Sequence, residues 1–247
     1  MYHGIGDNPN RVYNTDFNMF SKQMKILKNN GFIVESFQKF LSRKKSGNFP
    51  SRYVLLTFDD GYKSFIRAAE FLSELEFSGT FFITKNNCHD DQNSLSKNDL
   101  LKLGEKMEIG SHTVSHPNLT KLDYNTLFYE LNNSKKWLEN LLGKEITSLS
   151  IPGGYINNYT SKIAKEVGYC IIGNSNEWYN NLNEFNNSQI INRVAIRCYY
   201  DLKTFKKIIN GDFYFLIKRQ IRKSGLILVK KLISPDRINK IRNKIYT

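Results

Sequence analysis

The sequence has few cysteines and no long apolar run. Its 247 residues include only Cys88, Cys170 and Cys198, and no two of them are spaced as C-x-x-C. This argues against a disulfide framework and against a cysteine zinc site. No run of about 18 apolar residues predicts a membrane-spanning helix, and the start MYHGIGDNPN lacks the basic and apolar regions of a signal peptide. We therefore expect a cytoplasmic chain, unless the given start is late and conceals an export signal.

Net positive charge is small over most of the chain and large at its end. Between Leu202 and Thr247 there are thirteen Lys and Arg residues but only Asp212 and Asp236, so this segment carries +11 of the total formal charge of +13. The preceding residues are therefore close to neutral. Because the net positive charge is confined to the C-terminal segment, we expect that segment, and not the rest of the chain, to interact with a negatively charged surface.

Strand-like and helix-like segments alternate along the rest of the chain. TFFIT, EIGSH, SLSIP and YCIIG have the character of short buried strands, and amphipathic segments such as NTDFNMFSKQMKILKNNGF lie between such runs. This alternation predicts an α/β fold with a parallel sheet covered by helices. In such folds the functional side chains gather at the carboxyl ends of the strands.

Three polar clusters fall where predicted strands end. Asp59 and Asp60 follow RYVLLTF, His112 and His116 follow EIGS, and Pro152 follows SLSI. Adjacent carboxylates repel each other, so one interpretation is that they only cap the next helix and face water. The other is that one aspartate holds a metal while its neighbour acts as a base. Two histidines and one carboxylate would leave coordination positions open for water and substrate, as in catalytic zinc sites.

The motifs TFDDG, SHTVSH and SIPGG together resemble those of the polysaccharide deacetylases, the NodB-like carbohydrate esterases that remove N-acetyl groups from amino sugars. The resemblance extends from about Tyr2 to Ile209. It implies a distorted, incomplete (β/α) barrel. It also implies that Asp60, His112 and His116 bind a divalent metal, with zinc favoured, and that Asp59 is the general base.

The third motif departs from the family pattern. Many members have an arginine two residues before the proline, where this sequence has Ser150. Arg193, in IINRVAI, is a candidate replacement as partner of Asp59, and a surface or substrate-binding arginine is the alternative. Gly153 stands where the family often has tyrosine, and its backbone N–H is the predicted oxyanion donor.

The usual catalytic acid of the family, a histidine near the C-terminus, is missing because no histidine follows His116. His3 resembles the Tyr-His start of a subgroup in which the motif order is permuted, and we predict that it is the general acid. A packing or capping role is the alternative for His3. Trp178 is a candidate for lining an acetyl pocket, and Tyr155 for stacking on a sugar ring; a core or rim position is the alternative for Trp178.

The basic end combines apolar residues with Lys and Arg at roughly helical spacing. We predict that residues 1–210 form the catalytic domain and that residues 211–247 form a basic amphipathic helical extension. Such segments favour anionic lipid surfaces, which suggests peripheral attachment to the inner membrane. A helical hairpin packed on the barrel is the alternative, and no nucleic-acid recognition motif accompanies the charge.

The leading functional hypothesis is a metal-dependent hydrolase. Its predicted reaction removes an N-acetyl group from an amino sugar of a cell-envelope or surface polysaccharide, or of the lipid-linked precursor. A deformylase acting on a lipid-linked amino sugar is a close variant. A catalytically inactive glycan-binding module is the alternative from another class, because the third motif has lost its arginine and the usual acid is absent.

Overall fold

The computed structural model describes residues 1–6, 12–89, 92–178, 180–181, 185–186 and 188–221. The chain divides into two compact units, Met1–Phe205 and Lys206–Thr247. In the second unit residues 213–221 are helical, and most of the predicted basic extension lies outside the described residues. Within the described part of the chain, no helix is long and apolar enough to cross a bilayer.

Strands and helices alternate as the sequence predicts. The strands are β1 (Ile33–Glu35), β2 (Tyr53–Leu55), β3 (Thr57–Phe58), β4 (Thr80–Ile83), β5 (Glu108–Ser111), β6 (Ser148–Ser150), β7 (Ile171–Gly173) and β8 (Ile190–Ile191). The helices are α1 (Phe17–Asn29), α2 (Phe37–Ser46), α3 (Phe65–Glu74), α4 (Lys97–Lys106), α5 (Tyr124–Leu142), α6 (Asn158–Glu166) and α7 (Leu202–Ile209).

Helix starts follow local capping chemistry. Asp16 accepts a hydrogen bond from the backbone nitrogen of Met19 at the start of α1, and Asp123 caps α5 in the same way. Ser96 and Asp99 form a reciprocal capping box at α4. These side chains satisfy backbone N–H groups that have no partner within the helix.

The six strands β3 to β8 form one parallel sheet in sequential order, and β1 pairs with β2 in a separate parallel pair. The apolar run RYVLLTF is therefore two strands rather than one. The backbone changes partners at Leu56: its N–H donates to the Glu35 carbonyl at the end of β1, and its carbonyl accepts from the Thr80 N–H in β4. The predicted strand IINRVAI is shorter than expected, since only its first two residues are regular strand.

The sheet curls until its two edges approach each other. The backbone nitrogen of Met1 donates to the Val194 carbonyl at 3.0 Å, and that of Tyr2 donates to the Thr57 carbonyl at 2.8 Å. The first residues thus bridge β3 and the segment that follows β8, which a flat six-stranded sheet would hold at opposite edges. This confirms the predicted incomplete (β/α) barrel.

Aromatic side chains fill the core beside the functional edge. The rings of Phe58 and Phe81 stack with centroids 4.2 Å apart, and Phe65 of α3 packs against both. Phe37 of α2 meets Phe82 of β4 at 5.5 Å. These ring contacts therefore fix the positions of β3 and β4, and with them the residues that follow each strand at its carboxyl end.

Candidate active site

Asp60, His112 and His116 come together at the carboxyl edge of the sheet. One possible ligand atom from each lies within 4.8 Å of the others. The Asp60 Oδ1 atom is 3.3 Å from His112 Nε2 and 3.6 Å from His116 Nε2. His112 is buried, but the His116 side chain is 44% exposed, so one side of the cluster is open to solvent. Two imidazoles and a carboxylate with an open side have the composition of a catalytic metal site.

Several residues around these ligands have a positive φ, a backbone conformation that residues other than glycine rarely adopt. The angle φ is positive at Asp60 (88°), Gly61 (91°), Thr113 (70°) and His116 (59°). Non-glycine residues with positive φ cost free energy and concentrate at functional sites, where the surroundings hold them in place. The turn after β3 departs from strand geometry here, so Asp59 and Asp60 are not restricted to opposite faces of a strand.

Glu130 of α5 holds the histidine loop. Its carboxylate accepts the backbone N–H groups of Val114 and Ser115 at 2.8 and 2.9 Å and the Ser115 hydroxyl at 2.6 Å. Glu130 is 5% exposed. The His116 N–H donates to Thr113 Oγ1 at 3.0 Å. These bonds compensate for the strain in the loop and position His116 beside Asp60.

The orientation of His112 is set by Ser150. The His112 Nδ1 atom lies 2.8 Å from the Ser150 carbonyl oxygen. A carbonyl only accepts, so Nδ1 carries a proton. The Nε2 atom faces Asp60; it donates to the carboxylate when the ring is protonated and offers its lone pair to a metal when the ring is neutral. This outer hydrogen bond is the arrangement that orients histidine ligands in metal sites.

Electrostatics within the cluster follow from burial and from the neighbouring carboxylates. Burial alone would lower the pKa of His112, but the hydrogen bond with Asp60 and the charge of Asp59 raise it above its ordinary value. Burial and the nearby His112 lower the pKa of His116. Burial opposes ionisation of Asp60, yet its contact with His112 outweighs burial and lowers its pKa. Asp60 is thus ionised within the cluster and supplies a carboxylate ligand for a cation.

Arg193 pairs with Asp59 in a fork-like geometry. Its Nη1 donates to Asp59 Oδ1 at 2.8 Å and its Nη2 donates to Asp59 Oδ2 at 2.9 Å. The Ser150 hydroxyl donates to the same Oδ2 at 2.9 Å and accepts from Arg193 Nη2 at 2.7 Å. Arg193 also donates through Nε to the Asn174 carbonyl at 2.9 Å. The sequence left open whether Arg193 pairs with Asp59 or lies at the surface. In the structure it is buried and forms an ion pair with Asp59.

Asp59 is held ionised by these contacts. Burial would raise its pKa, but the charges of Arg193 and His112 and the Arg193 hydrogen bonds together hold the pKa well below its ordinary value. The Asp59 side chain is only 4% exposed. A carboxylate with a lowered pKa is ionised at neutral pH and can accept a proton, although it is a weak base, so its charge and fixed orientation matter as much as its basicity.

His3 lies near Asp59 and Asp60, close enough for their charges to act on it. Burial lowers the pKa of His3, and the charges of Asp59 and Asp60 partly oppose that shift. The His3 ring lies 4.9 Å from the ring of Tyr13, and its buried Nδ1 has no hydrogen-bond partner within the part of the chain that the structure describes. To act as a general acid His3 must be protonated, which the charges of Asp59 and Asp60 favour and burial opposes. The role of general acid stays a prediction.

The remaining predicted residues lie on the loops that follow β6 and β7. Gly153 sits in a short 3₁₀ turn with φ of 63°. The ring of Tyr155 lies over Gly153, about 3.0 Å from where a Cβ would stand, and Tyr155 is 61% exposed. Trp178 is half-buried. Their predicted roles, oxyanion donor, sugar platform and acetyl pocket, stay predictions.

Sequence reasoning missed two residues that organise the site. Ser150 was noted only as the place of a lost arginine, whereas its hydroxyl bridges Asp59 and Arg193 and its carbonyl orients His112. Glu130 belongs to none of the three motifs, and its burial in the structure is what marks its role.

The sequence is similar to that of known polysaccharide deacetylases, as its site residues suggest. The sequence profile described as polysaccharide deacetylase matches residues 46–172. Bacillus subtilis YxkH is 30% identical over 174 residues, covering 68% of this chain and 61% of its own length. The poly-β-1,6-N-acetyl-D-glucosamine N-deacetylase of Staphylococcus aureus MRSA252 is 25% identical over 191 residues, covering 68% of this chain and 66% of that protein. The chain therefore spans less than two thirds of either relative.

Solved structures share the fold. A Streptococcus pyogenes deacetylase, PplD, in complex with acetate superposes with a TM-score of 0.76 at 21% identity, covering 84% of this chain and 95% of that one. A polysaccharide deacetylase from Bacillus cereus gives a TM-score of 0.73 at 23% identity, covering 84% and 67%. With the matched profile, the half-barrel and a possible Asp-His-His metal site, these observations show that the chain belongs to the polysaccharide deacetylase family of hydrolases.

Proposed function

We propose that this chain is a divalent-metal-dependent hydrolase that removes N-acetyl groups from an amino sugar of a cell-envelope or surface polysaccharide or of its lipid-linked precursor. The observation that carries the proposal is the convergence of Asp60, His112 and His116 beside the buried, ionised Asp59. The staphylococcal relative is named for N-deacetylation of poly-β-1,6-N-acetyl-D-glucosamine, which supports an N-acetylated glycan as substrate.

The residues fit a divalent ion. His112 directs a lone pair into the cluster because Ser150 binds its other nitrogen, and the Asp60 and Asp59 carboxylates supply negative charge there. Nitrogen and oxygen donors of this kind suit zinc and its borderline neighbours. When bound, the ion would act as a Lewis acid toward water and toward the acetamido carbonyl.

Each protein group then has one task in the hydrolysis. Asp59 accepts the proton of the attacking water at Oδ1, which keeps accepting capacity beyond its bond from Arg193. As the water oxygen bonds to the carbonyl carbon, the Gly153 N–H stabilises the negative charge that develops on the carbonyl oxygen. His3 delivers a proton to the departing nitrogen, so that the C–N bond breaks and acetate and a free amine result.

Acetate release tests the proposal. The zinc-loaded chain is incubated with β-1,6-linked N-acetylglucosamine oligomers, and Asp59→Asn is the matched variant because it keeps the shape but removes the charge. We expect acetate release that falls at least about a hundredfold in the variant, as for loss of a general base. Formate release from an N-formyl sugar, with no acetate release, would instead indicate a deformylase. Oligomer binding without any acyl release would favour a binding module.

We also propose that residues 211–247 form a separate extension that attaches the chain to an anionic membrane surface, as at the inner membrane. In the described part of this segment, Phe213, Tyr214 and Ile221 are 52%, 85% and 68% exposed, and Lys218 and Arg219 lie on the same helical stretch. Lys and Arg residues near such a surface contribute about 1 kcal/mol each. Flotation with vesicles containing phosphatidylserine should recover the intact chain but not a chain ending at Asn210. Equal flotation of the two would refute membrane attachment.

A further inference from the structure

A glycine at the end of β7 lies directly against the arginine that pairs with Asp59. A Cβ atom at Gly173 would stand 2.8 Å from Arg193 Nε, 3.0 Å from its Cζ and 3.1 Å from its Cδ. Non-bonded carbon atoms pack best at about 3.5–4.0 Å, so a side chain at residue 173 and the arginine cannot both keep these places. The Arg193 side chain thus passes over Gly173 in space that any other residue would fill.

Backbone conformation does not explain why residue 173 is a glycine. The φ angle of Gly173 lies outside the left-handed region, unlike the φ angles of Gly153 and Gly154. A residue with a side chain could therefore adopt the same backbone. A glycine within a strand weakens that strand and often marks the close approach of another group. At Gly173 the approaching group is Arg193.

Arg193 has little freedom to move away from a new side chain. Its Nε donates to the Asn174 carbonyl at 2.9 Å, and its Nη1 donates to Thr57 Oγ1 at 3.3 Å as well as to Asp59. With the two bonds from Nη2 to Asp59 and Ser150, these contacts engage all five N–H groups of the guanidinium. A shift of the arginine would therefore lengthen several buried hydrogen bonds at once.

The surroundings of the arginine are also fixed. The Asn174 N–H donates to the Ile191 carbonyl at 3.0 Å, and its side-chain Nδ2 donates to Asn192 Oδ1 at 3.1 Å. These bonds hold the ends of β7 and β8 together beside Arg193. The Arg193 guanidinium carbon lies 5.5 Å from the centre of the Phe82 ring, which occupies adjacent space. The place that Arg193 fills is therefore built by neighbours that are themselves packed.

We propose that Gly173 is a positioning residue for the hydrolysis. Because it has no side chain, Arg193 can reach Asp59, and through Arg193 it fixes the charge and the orientation of the proposed base. The inference rests on the proposed function. A larger residue at position 173 would displace the guanidinium without removing any charged or hydrogen-bonding group.

Urea unfolding of the metal-free chain tests the contact independently of catalysis. Gly173→Ala should lower the urea midpoint of the native chain. It should have little effect in Arg193→Ala, which removes all three atoms that the new Cβ would meet, so the two substitutions should be non-additive. Gly104→Ala is the matched control, because its Cβ in α4 would meet Leu142 at 3.0 Å and its effect should be the same with or without Arg193. If circular dichroism shows that Arg193→Ala does not fold, Asp59→Asn with Arg193→Ala takes its place, since that chain leaves neither charge of the pair.

Acetate release then tests the consequence for catalysis. Zinc-loaded chains are incubated with β-1,6-linked N-acetylglucosamine oligomers. Gly173→Ala should lower kcat about ten- to a hundredfold, as for a small misplacement of a reacting group. Its KM and its zinc content should stay close to the native values, because Gly173 acts only on the chemical step. Gly104→Ala should release acetate as the native chain does.

The two measurements separate this proposal from the proposed function. Non-additive unfolding without acetate release from the native chain would refute the deacetylase function and leave the placement of Arg193 by Gly173 standing. Additive effects of Gly173→Ala and Arg193→Ala on unfolding would overturn the role of Gly173. An active native chain whose kcat is unchanged by Gly173→Ala would overturn it as well.

Discussion

Replacing Arg193 by Met removes the positive charge that the buried Asp59 depends on. The two side chains are 3% and 4% exposed, and two parallel hydrogen bonds join them. Breaking one partner of a buried pair leaves an uncompensated charge and costs about 3–5 kcal/mol. We expect the free energy of unfolding of metal-free Arg193→Met to fall by this amount at pH 7.

The loss should depend on pH in a direction fixed by the pKa of Asp59. In the native chain Arg193 depresses that pKa, so the pair stabilises the fold above the unfolded value of about 3.9 and loses this contribution as pH falls through the folded pKa. Without Arg193, burial raises the folded pKa instead, and the variant loses stability as pH rises above about 4. The difference between native chain and variant should therefore be smaller at pH 4 than at pH 7.

Urea unfolding at both pH values measures the effect, with Arg43→Met as the matched control. Arg43 forks onto Glu35 at 2.6 and 2.7 Å, but these side chains are 30% and 11% exposed. Water therefore screens the Arg43 charge, and loss of this pair should cost clearly less than loss of Arg193. Acetate release by zinc-loaded Arg193→Met should also fall. If Arg193→Met costs no more than Arg43→Met, or costs the same at pH 4 and pH 7, the reasoning is refuted.

Three further substitutions test other parts of the site. Ser150→Ala removes the hydroxyl that bridges to Asp59 but keeps the carbonyl that orients His112. Acetate release should fall about tenfold or more, while bound zinc, measured by mass spectrometry, is retained. Loss of zinc would contradict the separate roles of the hydroxyl and the carbonyl. Glu130→Gln should weaken zinc affinity about 10–100-fold in competition with a chelator, because it removes one acceptor from the histidine loop; unchanged affinity would contradict that role. Gly110→Ala would place a Cβ 2.5 Å from a neighbouring phenylalanine ring and should cost about 1–3 kcal/mol in urea unfolding; an unchanged midpoint would count against this packing.

The ligand cluster could be predicted because it depends on local rules. Asp60 and His112 follow apolar runs that are strands in one parallel sheet, and carboxyl ends of such strands share an edge. His116 lies four residues after His112, so a single loop brings both to the same place. Pattern and spacing predict that these residues share one edge, whereas their assignment as metal ligands, with Asp60 rather than Asp59, came from the resemblance to the polysaccharide deacetylases.

The same rules named the partner of Asp59 only as one candidate, Arg193, with a surface or substrate-binding arginine as the alternative. Arg193 lies 134 residues away along the chain, and it reaches Asp59 because the sheet curls until the segment after β8 approaches β3. The curl of the sheet depends on the packing of the whole barrel and on residues 1 and 2, which close it. A local sequence pattern does not predict such long-range packing. The positive φ of Asp60 is similarly a result of the closed site, since local propensity disfavours it.

Metal content tests the central claim most directly. The native chain and His112→Ala are loaded with zinc, dialysed and analysed by mass spectrometry, with Tyr129→Ala as a surface control. The account predicts about one zinc per native chain, the same for Tyr129→Ala, and little or none for His112→Ala, as expected when one of three ligands is lost. A native chain that retains no divalent metal, or a His112→Ala chain that retains as much as the native one, would contradict a metal centre at Asp60, His112 and His116.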